Sequence, residues 1–133
     1  MMPPELTELT QAEWAIIKVV WDLEPCAAPS VQEALLHDRA WSYSTVRTLM
    51  DRMAAKGILK TEKIRHMTIF RSAVTRQEAQ RGETLYALNT AFNGALAPMV
   101  QCLLDQHDLS PRDLEELERL IQAKRAKARG IKP

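Results

Sequence analysis

Between Arg39 and Arg71 the sequence sets eight cations, Arg39, Arg47, Arg52, Lys56, Lys60, Lys63, Arg65 and Arg71, against only Asp51 and Glu62, a net charge of +6. The 38 residues before them reverse the balance, with Lys18 facing seven acids for a net of −6, so the whole-chain value of +1 conceals a separation. A positive field concentrated in one segment fits a phosphate-binding surface, and on charge alone it fits a solvated basic face equally well. Within the segment, Ser44, Thr45, Arg47 and Thr48 mix short hydroxyls with a guanidinium. A guanidinium can donate to guanine O6 and N7 together, and a threonine methyl can touch thymine. Arg52, Lys56, Lys60 and Lys63 suit phosphates, which give affinity without sequence information. Arg65 and His66 stand where a hairpin turn would touch the minor groove or the flanking backbone. Of the aromatic residues just before the hydroxyls, Trp41 reads better as a core anchor, and Tyr43 could donate to a phosphate.

Other chemistry finds no support. His37, His66 and His107 stand alone, there is neither a Cys-x-x-Cys nor a His-x-x-x-His pair, and four glycines make no phosphate loop. Acid pairs such as Glu115 and Glu116 read as a solvated helix face, so neither an enzyme nor a cofactor is expected. Cys26 and Cys102 lie too far apart in sequence for a disulfide framework, which fits a reducing compartment, and both read as buried small hydrophobes. A metal-sensing reading would need about four converging ligands, which this spacing does not supply. No apolar run approaches the roughly 18 residues of a membrane span, and the first residues lack the basic-then-apolar order of a secretion signal. The expectation is a cytoplasmic protein without membrane contact.

The elements that would position the basic residues follow from periodicity. Thr10 and Glu13 form a capping box ahead of Trp14, Ile17, Val20 and Trp21, predicting a helix that runs to about Leu23. A second, shorter helix is expected over residues 30–37, with Val31, Ala34 and Leu35 inward, or starting a turn earlier at Ala27 or Ala28. The third begins at Ser44, turns Val46, Leu49, Met50 and Met53 inward, and ends at Gly57. Its outer face holds Thr45, Arg47, Thr48, Asp51, Arg52 and Lys56. The segments ILKTEKI and MTIFR then read as a hairpin. Three short helices followed by a hairpin is the order of a winged helix-turn-helix, in which the early residues of the third helix reach base edges.

The rest of the chain is helical. Thr75 and Glu78 give another capping box before Leu85, Leu88 and Phe92, and Asn93 and Gly94 interrupt that helix. Leu96, Met99, Val100, Leu103 and Leu104 line the next helix, with Pro98 in its first turn. Ser110 and Pro111 start a last one carrying Leu114, Leu117, Leu120 and Ile121. Such stripes need a surface to pack on, which a second copy or the headpiece itself would supply. The expected architecture is mainly α with a small β wing: a winged helix over residues 1–74, a helical dimerisation module over 75–129 and a tail over 130–133. A winged helix that binds protein instead of DNA is the other reading, and it would not need the basic segment.

The run WSYSTVRTLMDRMAAKGIL, with the earlier AEWAIIKVVW, resembles the penicillinase repressor family of the BlaI, MecI and CopY type. FNGALAPMV and DLSPRDLEELERLI resemble that family's dimerisation half, so the resemblance spans nearly the whole chain. It implies a homodimeric transcriptional repressor on inverted-repeat, double-stranded operator DNA, controlling β-lactamase-like, resistance or metal-homeostasis genes. The family's base readers fall on Thr45, Arg47 and Thr48, and its backbone contacts on Ser44, Arg52 and Arg65. Departures accompany the match. Ile64 stands where the family wing carries glycine, and Thr68 where an aromatic is common. Cys102 and Leu103 replace the Asn-Phe bond cut in the β-lactam-responsive branch, and the tail lacks the Cys-x-Cys pairs of the copper-responsive branch. The inducing protease or ligand is therefore left unassigned.

Overall fold

The computed structural model describes residues 8–106 and 108–130; His107 and the last three residues of the tail lie outside them. Two compact units divide the chain, the first ending at Thr90 and the second beginning at Ala91.

In the first unit, α1 (Gln11–Leu23) starts at the expected capping box. The Thr10 hydroxyl accepts from the Glu13 amide at 3.1 Å, and the Glu13 carboxylate accepts from the Thr10 amide at 2.9 Å. Ile16, Ile17 and Val20 are its buried stripe. The second helix, α2 (Ala28–Ala34), takes the earlier of the two starts, behind Ala27 and with no side-chain cap. Residues 35–37 form a turn instead of continuing it, the Leu36 amide bonding the Glu33 carbonyl three residues back. Val31 and Leu35 are buried as expected, whereas Ala34 is exposed.

The third helix, α3 (Tyr43–Ala55), begins one residue before the expected start, because Ser42 rather than Ser44 is extended and accepts from the Thr45 amide at 3.2 Å. It closes in a turn that glycine makes cheap. Gly57 sits at φ 85°, its amide reaches the Ala54 carbonyl, and the Ile58 amide reaches that of Met53. Met53 and Ile58 are both buried, which adds the apolar contact that accompanies this stop.

The chain then forms β1 (Leu59–Ile64) and β2 (Met67–Ser72), antiparallel from Leu59 opposite Ser72 to Ile64 opposite Met67. Alternation puts Thr68, Phe70 and Ser72 on one face of β2. Each meets a helix. Ser72 Oγ accepts from Trp21 Nε1 at 3.0 Å, Phe70 fills the core centre, and Thr68 meets α3. Cys26, in the α1–α2 connection, exchanges backbone hydrogen bonds with Phe70 and extends the hairpin by one bridge. Helices against a closing hairpin are the winged helix that the element order predicts.

The first unit passes residue 74, the boundary expected from sequence, because the fourth helix, α4 (Arg76–Ala91), lies on it. Ala79 joins the core, Gly82 is buried, the Arg76 guanidinium stands 4.8 Å from the Trp21 ring centroid, and Trp14 Nε1 lies 3.4 Å from Glu83. The second unit holds α5 (Leu96–Gln106) and α6 (Pro111–Ala128), the latter capped by Ser110 and Asp113. Neither helix has a buried residue among those described. Cys102 is accordingly exposed, correcting its reading as a buried hydrophobe, while Cys26 is buried as expected. No described helix is long and apolar enough to cross a membrane.

Candidate nucleic-acid interface

The geometry of α3 sorts its residues into an inner and an outer side. Val46, Met50 and Met53 are fully buried, with Leu49 partly so. At 100° per residue this leaves Ser44, Thr48, Asp51 and Ala55 along the centre of the outer stripe. Thr45 and Arg52 lie on one flank, and Tyr43 and Arg47 on the other, beside β2. Tyr43, Ser44, Thr45, Thr48 and Arg52 are exposed, and Arg47 is half-buried. At the helix start the Ser42 hydroxyl stands 3.1 Å from those of Ser44 and Thr45. Sequence reasoning missed Ser42, although a serine immediately before the first residue of an apolar-periodic run is an N-cap signal.

Arg47 is held from three sides. Its Nε donates to Asp51 at 3.1 Å, Nη1 to the Tyr43 hydroxyl at 3.4 Å, and Nη2 to the Thr68 hydroxyl at 3.2 Å. Tyr43 and then Asp51 push its pKa up from the ordinary arginine value, and a guanidinium is charged at every working pH in any case. The side chain keeps 34% of its exposure.

Lys56 is placed elsewhere. Its ammonium lies 2.6 Å from Glu13, a side chain that is 95% buried, and so pairs with the core side of α1. Lys60 and Lys63 are both exposed, but their odd spacing puts them on opposite faces of the hairpin: Lys63 on the face shared with Thr68, Lys60 on the other, across from Arg71. Arg65 and His66 form the two-residue tip, both exposed. Arg65 takes φ 59°, a left-handed conformation that glycine or asparagine would adopt at lower cost. Trp41 is partly buried against the core, with Gln32 donating to its carbonyl at 3.3 Å and Arg39 5.0 Å from its ring centroid. Among the described residues no cluster of His, Cys, Asp and Glu could hold a metal ion.

The residues expected at an assembly face divide between the two units. Leu85 and Leu88 are half-buried on α4, and Phe92 half-buried just beyond it. Leu96 (64%), Val100, Leu103, Leu114, Leu117, Leu120 (68%) and Ile121 are exposed.

Comparison with known proteins finds a match to the penicillinase repressor family over residues 9–123. A 16.5 kDa protein from the ptsI 3′ region of Latilactobacillus sakei is 31% identical, over 96% of this chain and 87% of its own. The methicillin resistance regulatory protein MecI of Mammaliicoccus sciuri is 26% identical, over 88% of this chain and 95% of its own. Among solved structures, the DNA-binding domain of the repressor BlaI is 22% identical and superposes with a TM-score of 0.49, covering 55% of this chain and 89% of that one.

Proposed function

The chain belongs to the penicillinase repressor family, and from that membership we propose that it is a sequence-specific transcriptional repressor that binds an inverted-repeat operator as a homodimer. The observation that carries the reading is the outer side of α3, where hydroxyls and guanidiniums face out while Val46, Met50 and Met53 anchor the inner side. A helix so anchored can enter the major groove without disturbing its packing. Thr45, Arg47 and Thr48 are the proposed readers. Tyr43, Ser44, Arg52, Lys63, Arg65 and His66 supply backbone and groove contacts, with Lys60 reaching from the other hairpin face. Lys56 is left out, since Glu13 holds its ammonium.

Support for the homodimer comes from α5 and α6. Their apolar stripes are uncovered in one chain, and a second copy would cover both with the same patch on each subunit. The MecI relative is a methicillin resistance regulatory protein, which points to resistance genes as the target class.

Selecting bound sequences from a random duplex pool tests the reading. A palindromic consensus is expected, with log affinity falling against log salt at a slope of about −0.9 per phosphate neutralised. Enrichment of no sequence, together with salt-independent binding, would instead favour a winged helix that docks on protein. Arg47→Ala is expected to cost about 1–3 kcal/mol on the selected duplex and to relax preference at one base pair.

A further inference from the structure

An arginine carries five N–H donors, and on Arg47 three of them point at the protein: Nε at Asp51, Nη1 at Tyr43 and Nη2 at Thr68. The count leaves one hydrogen on Nη1 and one on Nη2, a coplanar pair of the kind that reads guanine O6 and N7. The Phe70 ring, with its centroid 5.7 Å from Arg47 Cζ, limits movement of the guanidinium plane on the inner side.

The three partners are not equivalent. Tyr43 and Asp51 are each four residues from Arg47 on α3, so they move with the helix and leave the side chain's direction relative to the hairpin free. Thr68 alone belongs to another element. It stands on the β2 face that also carries Phe70 and Ser72, a face fixed by the core and by Trp21. Its hydroxyl therefore ties the reading side chain to the wing.

We propose that Thr68 is a positioning residue that sets the base preference of Arg47, so that the hairpin acts on sequence readout as well as on backbone contact. The inference rests on Arg47 being a reader, as proposed above. Preorganisation is the mechanism: a guanidinium already held in its bound direction loses less freedom on meeting its base, and a wrong base gains nothing from the same direction. Thr68 is also the clean position to change. Asp51 carries charge, so its replacement alters the field felt by every phosphate; Thr68 is neutral, and valine matches its shape and suits a strand.

The test compares the full-length wild type with the T68V, T68S, T68A and R47A variants on the duplex selected from a random pool, on single-base-pair replacements of it, and on unrelated duplex. T68V and T68A are expected to lose roughly tenfold of discrimination, the lower end of what one hydrogen bond to a charged group contributes, at the base pair where R47A loses its own. Affinity for unrelated duplex and the salt slope should not change, and T68S, which keeps the hydroxyl, should discriminate like the wild type. The inference is overturned if T68V and T68A discriminate like the wild type at that pair, or if they weaken binding to every duplex equally. An R47A variant that keeps full discrimination would sink the reader assignment first and this inference with it.

Discussion

Glu13 is the one buried charged side chain among the described residues, 4% exposed on a helix whose neighbouring inward positions are isoleucine and valine. Its two oxygens are divided between partners, Oε1 accepting from the Thr10 amide and Oε2 from the Lys56 ammonium. Burial alone would push its pKa up; Lys56 and the Thr10 amide outweigh that and hold it below the ordinary glutamate value. A carboxyl depressed in the folded state stabilises fully above its unfolded value, and that contribution is lost as pH falls through the folded one. Glu13→Gln should therefore flatten the acid limb of a melting-temperature profile below about pH 4. An unchanged limb would exclude the pair as its source. Lys56→Met should cost about 1 kcal/mol in urea unfolding, less than a fully enclosed pair would, because the Lys56 side chain keeps 41% exposure. It should also leave the salt slope of DNA binding unaltered, where a true phosphate contact would lower it by about one. The Thr10–Glu13 box was legible because both partners sit within one turn. The Lys56 contact was not, since a separation of 43 residues leaves no local trace in the pattern.

At the scale of elements, periodicity located α1 and α3 because their buried positions, such as Val46, Met50 and Met53, are large and apolar at helical spacing, whereas β-branched and aromatic content located the hairpin. The ends were harder to read. Ser42 and Ser44 are both able to cap, and only backbone geometry distinguishes the residue that is extended from the one already in the first turn. Ser42→Ala should destabilise the first unit by about 1 kcal/mol, measured by chemical unfolding, since the Thr45 amide loses its acceptor; Ser44→Ala should cost less. The hairpin tip was legible as a two-residue connection but not in its conformation, because Arg65 and His66 offer none of the usual turn chemistry. Arg65 bears the positive φ with a full side chain. Arg65→Gly should consequently raise stability by roughly 0.5–1 kcal/mol while reducing the salt slope of DNA binding by about one. Two changes of opposite sign from one substitution would separate backbone strain at the tip from its charge. A fall in both would mean that the Arg65 side chain supports the hairpin.

For the whole molecule, the division after Thr90 was hidden because α4 meets the first unit through Ala79 and Gly82, small residues that leave no apolar stripe for the eye to follow. Its leucines, Leu85 and Leu88, drew attention to the other side. The second unit reads the opposite way: its stripes were plain in sequence, and among the described residues they stay largely exposed, with α6 exposing Leu114, Leu117, Leu120 and Ile121 together. Leucines at that spacing left in water are unfavourable by an amount that scales with their apolar area, and burying them between two copies recovers it. Leu117→Glu places a charge in the middle of the stripe, where burial without a partner is costly. If the chain pairs as proposed, the variant should sediment as a monomer at concentrations where the wild type sediments as a dimer, and its melting temperature should lose the dependence on protein concentration that an associating chain shows. It should keep its preference for a half-site, because α3, the proposed reading helix, lies in the first unit. Affinity for the full operator should fall steeply, since the second head no longer binds at the effective concentration that a linked copy provides. A variant that still sediments as a dimer would place the contact between copies elsewhere. One that loses half-site preference as well would tie the second unit to the fold of the reading helix itself.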